Sequence, residues 1–277
     1  MPLTARRHIR KMRGGAQAHL VEADDGAFYV VKFQDNPQHR RILVNELVSS
    51  VLLQYLQLAT PQTAVIHITG EFLRDYPEAS MDMGTRRQAH QPGWQFGSKY
   101  PGDPARLAVY DFLPDALLDQ VTNYSDFLGA LVFDKWVANS DARQAVFFRA
   151  RVRDWLPRET VAPLKMGFVA YLIDNGFAFN GPYWDFPESP VQGLYTRRRV
   201  YGRVASLDDF QPWLDRVVHF PEDTIDQAVK QIPPEWIAGD KDAFERMMDR
   251  LMRKRKGVPA LISDVRKAKS EPFPNWK

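Results

Sequence analysis

The amino-acid sequence predicts an α+β fold in two lobes: a small N-terminal lobe with an antiparallel sheet and one long helix, and a larger, mainly helical C-terminal lobe. Three observations favour it. Short alternating segments separated by glycine turns fill residues 1–70, residues 38–58 are apolar almost all round, and the last third of the chain has apolar residues at helical spacing. Residues 72–106 are rich in Gly, Pro and polar side chains, which is typical of a connector. We therefore divide the chain into lobes of residues 1–92 and 93–277.

The composition is that of an ordinary globular protein, with 277 residues of which 44% are apolar and 26% charged. The formal net charge of +3 is too small to favour a nucleic-acid partner, and we expect none. The absence of cysteine excludes a disulfide framework, a thiolate zinc site and a cysteine nucleophile, and it fits a cytoplasmic location. Because no run approaches the roughly 18 apolar residues of a membrane span, we expect no such span.

The N-terminal lobe is predicted from alternation and turn signals. Four segments have the pattern of short strands: residues 8–12, 18–23, 27–33 and 63–69. The first two are separated by a turn at Gly14 and Gly15, and the second and third by the Asp25-Gly26 pair that favours a hairpin. The helix over residues 38–58 lies between the third and fourth strands, and its uniform apolarity indicates that it is buried.

The C-terminal lobe combines helices with two strands. Ser125 is predicted to cap a helix that ends before Asn139, and residues 145–152 and 167–173 read as strands. Near the C-terminus, apolar residues recur at helical spacing and are followed by a stop signal at Gly257 and Pro259: Phe244, Met247, Met248, Leu251 and Met252. We interpret this Met-rich stripe as core rather than as a binding groove.

Lys32 and Glu46 are the first candidates for chemistry. Lys32 ends a strand that follows the glycine turn, and a point charge beneath such a turn suits nucleotide phosphates. Glu46 lies in the middle of the most apolar helix, where a carboxylate must be paired, and Lys32 is its natural partner. The alternatives are a lysine that points to water and an ion pair that only joins helix to sheet.

Two further carboxylates stand at the ends of elements. Asp141 lies in a loop with Asn139, where it could accept a proton from a hydroxyl group or orient a nucleophile. Asp174 ends a strand and precedes Asn175-Gly176, a position from which its oxygens can hold a phosphate-bridging Mg²⁺. Helix capping and turn formation are the alternatives for both.

Taken in order, these motifs resemble the HipA-like kinase family, within the protein-kinase and phosphatidylinositol-kinase-like superfamily. The resemblance spans about residues 7–255 and depends on five motifs: Val31-Lys32, Asn45-Glu46-Leu47, Phe133-Asp134-Lys135-Trp136, Asn139-Ser140-Asp141 with Arg143-Gln144, and Ile173-Asp174-Asn175-Gly176. It implies a bilobal protein-kinase-like fold that binds ATP with Mg²⁺ or Mn²⁺. It also implies transfer of the γ-phosphoryl group to a hydroxyl, most commonly a Ser or Thr of a protein.

The resemblance assigns roles residue by residue. It implies that Lys32 holds the phosphates, that Glu46 orients Lys32, that Asp141 is the catalytic aspartate and that Asp174 binds the metal. The expected nucleotide contacts are Gly14, Gly15, Lys32, Asn139 and Arg143. Relatives usually place a metal-binding Asn five residues after the catalytic Asp, where this sequence has Val146, so the nearest amide, Gln144, is the expected second metal ligand.

Two other functions remain open at this stage. The missing Asn and the two-glycine turn would also suit a pseudokinase, a nucleotide-binding scaffold without turnover. A kinase that acts on a small metabolite or a lipid headgroup is the other alternative. The expected partners are therefore ATP and an unidentified protein or small-molecule acceptor. The six histidines show no metal-ligand spacing, and we predict them to be surface residues or satisfied core residues.

Overall fold

The N-terminal strands do not form an open sheet but close into a five-stranded barrel in a computed structural model that describes residues 3–156 and 162–277. The strands are β1 (Leu3–Lys11), β2 (His19–Ala23), β3 (Phe28–Lys32), β4 (Thr63–Ile68), β5 (Ser80–Asp82), β6 (Arg87–Ala89), β7 (Gly93–Lys99), β8 (Val109–Tyr110), β9 (Gln144–Arg151) and β10 (Met166–Ile173). The α-helices are α1 (Arg41–Tyr55), α2 (Gly70–Asp75), α3 (Asp115–Leu118), α4 (Asp126–Trp136), α5 (Val152–Trp155), α6 (Trp213–Val218), α7 (Glu222–Val229), α8 (Lys241–Lys254) and α9 (Val258–Arg266).

The barrel has the strand order β1-β2-β3-β7-β4 and is closed by a short parallel pairing of β1 with β4. The other pairs are antiparallel, as predicted, but the position of β7 corrects the sequence interpretation. Residues 72–106 are not a plain connector, because β7 lies between β3 and β4. A division into lobes, which we retain as a proposal, must therefore fall after Lys99 and not between residues 92 and 93.

The long helix α1 is buried along most of its length, as its uniform apolarity predicts. Its apolar residues do not pack against the barrel alone. Leu43, Leu47 and Leu52 belong to the same core cluster as Phe133 and Trp136 of α4. The helix thus packs between the barrel and the C-terminal elements and fixes one relative to the other.

The C-terminal part contains a three-stranded antiparallel sheet, β8-β9-β10, and most of the helices. Helix α4 begins one residue after Ser125, which makes no side-chain capping bond. The Met-rich stripe forms α8, and the predicted stop at Gly257 and Pro259 does not end the helical region: a 3-10 turn at Arg255–Gly257 follows α8, and Pro259 lies in the first turn of α9. No helix in the described ranges has the length and apolarity needed to cross a membrane.

The pairing of β9 with β10 positions the functional loops. Gln144, the first residue of β9, lies opposite Ile173, the last residue of β10. The loop before β9 and the turn after β10 therefore meet at one end of the sheet. This end faces the barrel, because Asp174 directly after β10 contacts Lys32 of β3.

Candidate active site

A cavity of about 680 Å³ lies between the barrel and the three-stranded sheet. All but one of the residues predicted for the site line it: Gly14, Gly15, Lys32, Glu46, Asp141, Arg143, Gln144 and Asp174. Residues that lie far apart in the sequence thus surround one space. The exception is Asn139, which is fully buried behind the loop.

Lys32 lies at the end of β3, and two carboxylates surround its ammonium group. Lys32 Nζ donates to Glu46 Oε1 at 2.5 Å and to Asp174 Oδ1 at 2.8 Å. The pairing of Lys32 with Glu46 is the one that the sequence predicts. Burial disfavours the ammonium form of Lys32, but the charges of Glu46 and Asp174 outweigh burial and raise its pKa. Lys32 is therefore charged throughout the physiological pH range.

Glu46 joins α1 to the turn after β10. Its Oε1 accepts from Lys32, and its Oε2 accepts from the backbone nitrogen of Asn175 at 3.0 Å. Both carboxylate oxygens thus have donors, which a carboxylate needs when its side chain is only 5% exposed. One side chain in α1 therefore positions both the strand lysine and the turn that carries Asp174.

Asp174 has a left-handed backbone with φ of 59°, which costs a non-glycine residue roughly 1–2 kcal/mol. The following turn approaches α1 so closely that a Cβ on Gly176 would lie 2.6 Å from Ile42 Cγ2. The pKa of Asp174 is held below its usual value, chiefly by the charge of Lys32. With 34% of its side chain exposed, Asp174 presents an ionised carboxylate to the cavity.

Asp141 lies at the bend of the loop before β9, with one oxygen fixed and the other available. Its Oδ1 accepts from the backbone nitrogen of Ala142 at 2.7 Å. Its Oδ2 lies 3.5 Å from Gln144 Nε2, a long and weak hydrogen bond. Asn139 Oδ1 accepts from the Asp141 backbone nitrogen at 3.2 Å. Asn139 therefore supports the loop from its buried side, and its direct contact with nucleotide stays a prediction.

A buried network around Asp134 supports this loop and was missed by the sequence interpretation. Asp134 accepts two hydrogen bonds from Arg143 and a third from Asn139 Nδ2. The side chains of Asp134 and Arg143 are completely buried. Arg143 Nη1 in turn donates to Ile173 O and Asn175 Oδ1. Arg143 thus connects the Asp141 loop to the Asp174 turn. The signal in the sequence is Asp134, a carboxylate within an apolar helix, although Lys135 directly after it offers a nearer partner than Arg143.

Asn45 is a second residue that the sequence interpretation left without a role. Its Nδ2 lies within 3.0 Å of three backbone carbonyl oxygens in the segment after Asp174, those of Gly176, Ala178 and Gly181. Its Oδ1 accepts from Trp184 Nε1 at 2.8 Å. A fully buried amide in α1 therefore holds the segment that follows the Asp174 turn.

The glycine turn between β1 and β2 covers the cavity from the barrel side. Gly14 has φ of 123°, a conformation that side chains rarely allow, and the amide of Gln38 lies directly beside Gly15. Arg10 and Arg13 flank the turn and also line the cavity. The turn thus brings backbone and positive charge towards the space beside Lys32.

This fold, with a strand lysine paired to a helix glutamate and two further carboxylates around one cleft, defines the class of kinase-like phosphotransferases. The model of the HipA-like kinase family matches residues 6–147, about half of the chain. The chain belongs to the HipA-like kinase family and is a kinase, which confirms the resemblance in the sequence. No curated protein sequence matches the chain.

Two crystal structures of the Golgi casein kinase share the fold. One, with Mn/ADP bound, has a TM-score of 0.52 at 12% identity, over 99% of this chain and 75% of that one. The other has a TM-score of 0.51 at 12% identity, over 96% of this chain and 74% of that one. At this identity the likeness concerns the fold.

Proposed function

We propose that this kinase transfers the γ-phosphoryl group of ATP, with Mg²⁺ or Mn²⁺, to a Ser or Thr hydroxyl of a protein. The observation that supports it most is the position of Lys32, which contacts both Glu46 and Asp174 in a cavity that Asp141 also lines. The cavity volume of about 680 Å³ is in the range of small-molecule sites. It also has apolar side chains for a base, from Ala18, Val30, Phe96, Val146 and Tyr171.

The donor set around Asp174 fits a magnesium ion held mainly by nucleotide. Mg²⁺ takes oxygen ligands and keeps several waters, so one carboxylate and one amide suffice when phosphates complete its shell. Asp174 supplies the carboxylate and the exposed Gln144 supplies the amide, and the described residues contain no cluster of three or more ligands that would hold an ion alone. The related Golgi casein kinase structure, which holds Mn/ADP, is consistent with this assignment. The bound metal would neutralise charge on the phosphates.

Other residues would bind the phosphates, accept the proton of the acceptor hydroxyl and position these groups. Lys32, oriented by Glu46, would donate to the phosphates, and the backbone of Gly14 and Gly15 would approach them from above. Asp141 has the geometry to accept the hydrogen of an acceptor hydroxyl, since the Ala142 backbone nitrogen orients the carboxylate and leaves Oδ2 available. Arg143 stays in its buried network and would position these groups without touching the phosphates.

One observation favours a scaffold without turnover as the second candidate. Asp174 Oδ1 accepts from Lys32, so one metal-facing oxygen is engaged, and Val146 offers no second ligand at the usual position. A protein of this kind would bind nucleotide but transfer nothing. A small metabolite or lipid headgroup as acceptor remains an alternative to a protein.

The test is a γ-phosphate transfer assay with radiolabelled ATP, a metal titration, and generic protein, sugar and lipid acceptors. We expect Asp141→Asn to lower turnover by about 10²- to 10⁴-fold with nucleotide affinity retained. Asp174→Asn should raise the metal concentration needed, and Gln144→Ala should do so less. Asp208→Asn, at an exposed aspartate outside the cavity, is the control. Nucleotide binding with no transfer to any acceptor or to the protein itself would favour the scaffold.

A further inference from the structure

The C-terminal helices form a second cavity that the proposed kinase site does not use. It is an open groove of about 600 Å³ between α7 and α8. The Met-rich stripe of α8 is core, as the sequence predicts, because Phe244, Met247, Met248 and Leu251 are all buried in the main core. Phe244, Met248 and Met252 also line the groove, and Met252 is the most exposed of the three. The groove floor is thus the outer surface of this core.

The groove has an apolar floor between two acidic rims. On α7, Ile225 and Val229 line the floor at a spacing of four residues, which places them on one face of the helix. Four carboxylates line the rims, two on each helix and four residues apart: Glu222 and Asp226 on α7, and Glu245 and Asp249 on α8. An apolar channel with two carboxylates along each side results.

The rim carboxylates are poorly compensated. Asp226, Glu245 and Asp249 have no ion-pair partner within residues 3–156 and 162–277, and Glu222 is 77% exposed with only a distant contact to Arg255 at 3.7 Å. Like charges four residues apart on one helix destabilise it by about 0.2–0.5 kcal/mol per pair. The two cations that line the groove, Lys241 and Arg253, belong to the first and last turns of α8 and leave the middle acidic.

We propose that this groove binds a basic amphipathic helix of a partner protein. The floor accepts apolar side chains spaced along one face of a helix, and methionine adapts its shape to such partners. The rims attract lysine and arginine on the flanks of the same helix and thereby relieve the repulsion within α7 and α8. The inference stands independently of phosphotransfer, because no residue of the groove lines the kinase cavity.

The probe is a fluorescent peptide of about 18 residues, long enough to form a helix, with leucine on one face and lysine on the other. Its binding to the full chain is measured by fluorescence anisotropy. Two control peptides accompany it: one with the same composition but no apolar face, and one with glutamate in place of lysine. We expect only the first peptide to bind tightly.

The matched variants carry the same change in charge on the same two helices. Asp226→Lys with Asp249→Lys alters the rims, whereas Asp223→Lys with Asp242→Lys alters acidic residues that do not line the groove. We expect the rim pair to weaken peptide binding at least about tenfold and the control pair less than about twofold. Circular dichroism and thermal unfolding of both pairs confirm folding.

A third variant distinguishes binding in an apolar groove from nonspecific electrostatic attraction of the peptide. Met252→Ser removes apolar floor without changing charge, and it should weaken binding about three- to tenfold. Equal loss in both charge pairs, an unchanged affinity in Met252→Ser, or equal binding of the peptide without an apolar face would overturn the proposal. So would a wild-type dimer, seen by sedimentation, that the rim pair dissociates, because a second copy would then be the occupant.

Discussion

At the scale of single residues, the site depends on the two ion pairs that Lys32 makes. Its ammonium group neutralises Glu46 and Asp174 together, and both contacts are short. From the sequence, a strand-end lysine contributes little to stability. The structure changes that expectation, because removal of this charge would leave two carboxylates next to each other with little water.

We therefore expect Lys32→Met to affect both stability and activity. Loss of one partner of a buried ion pair costs about 3–5 kcal/mol of unfolding free energy, and phosphotransfer should fall by orders of magnitude. The double variant Lys32→Met with Glu46→Gln removes one of the two charges and should recover most of the stability without any activity. Chemical denaturation and the transfer assay measure the two effects. Substantial activity in the double variant would contradict the role of Lys32.

At the scale of elements, α1 controls the segment after β10. This segment contains five non-glycine residues with positive φ, which is an unusually strained backbone: Asp174, Phe179, Asn180, Trp184 and Phe186. Such strain persists only where surrounding contacts enforce it. Asn45 supplies several of these contacts, and Arg41 adds a hydrogen bond to Pro182 O and a cation–π contact 4.3 Å from the centre of the Trp184 ring.

A pair of substitutions in α1 tests this control. Asn45→Leu removes the side-chain donor of Gly176 O and Gly181 O and the acceptor of Trp184 Nε1, whereas Ala178 O keeps the Gly181 backbone nitrogen, and it should cost several kcal/mol, at about 1–3 kcal/mol for each unsatisfied group. It should also lower metal affinity, because the Asp174 turn loses its support. Ser49→Ala, one turn further along, removes a buried hydroxyl that has no hydrogen-bond partner among the described residues and should be neutral or stabilising. Similar metal affinity in both variants would show that Asn45 only stabilises the fold.

The barrel brings together three histidines, which the sequence interpretation treated as separate surface or core residues. His8 Nε2 lies 3.0 Å from His19 Nδ1, and the rings of His19 and His90 are 5.6 Å apart. Acidic partners bind the outer members, Glu78 at His8 and Asp35 at His90. In the described part of the chain, Nε2 of His19 and of His90 has no partner. His19 therefore lies between two other imidazoles in the barrel interior.

This arrangement predicts how stability depends on pH. Burial, followed by the nearby charges of His90, His8 and Lys11, lowers the pKa of His19 from 6.5 to about 3. Below pH 6.5 the unfolded chain binds a proton at His19 that the folded chain does not bind. The contribution of neutral His19 to the free energy of unfolding is therefore complete above pH 6.5 and is lost progressively between pH 6.5 and 3. The slope is about 1.4 kcal/mol per pH unit.

His19→Phe should remove this slope, and denaturation between pH 5 and 7 measures it. In this interval few carboxylates titrate, so the difference between the wild-type and variant slopes isolates the histidine. Parallel pH profiles for the two proteins would show that His19 accepts a proton in the folded state.

At the scale of the whole molecule, the sequence predicts the elements that have a local pattern. It does not predict the contacts between distant residues that form when the barrel closes. The strands β2, β3 and β4 and the helix α1 carry their own signals in alternation and apolarity. Strand β7 does not, because its two glycines indicate turns, although Gly97 is required where a Cβ would lie 2.5 Å from Ile66 Cγ1. The histidine cluster joins residues 8, 19 and 90, a proximity that no local pattern encodes.

The same distinction between local patterns and non-local contacts applies to the candidate site. Isolation in an apolar helix predicted Glu46 and its pairing with Lys32, since a charge within an apolar element needs a partner, whereas position at the end of an element predicted Asp141 and Asp174. The supporting role of Asn45 could not be predicted, because a neutral amide in an apolar helix gives no indication of which distant carbonyls it binds. Non-local contacts therefore determine how firmly the predicted groups are held.

Because the barrel, α1 and the three-stranded sheet all line the cavity, nucleotide should stabilise the molecule as a whole. A ligand that binds only the folded state at 100 times its Kd adds about 2.7 kcal/mol, which corresponds to about 5–10 °C in Tm for a chain of this size. Scanning calorimetry with ATP, alone and with Mg²⁺, measures the effect. Asp174→Asn should keep the shift produced by ATP alone and lose the increment from the metal. A metal increment that survives in Asp174→Asn would remove this residue from the metal site, and the absence of any shift with Mg²⁺ and ATP would contradict nucleotide binding itself, for the kinase and the scaffold alike.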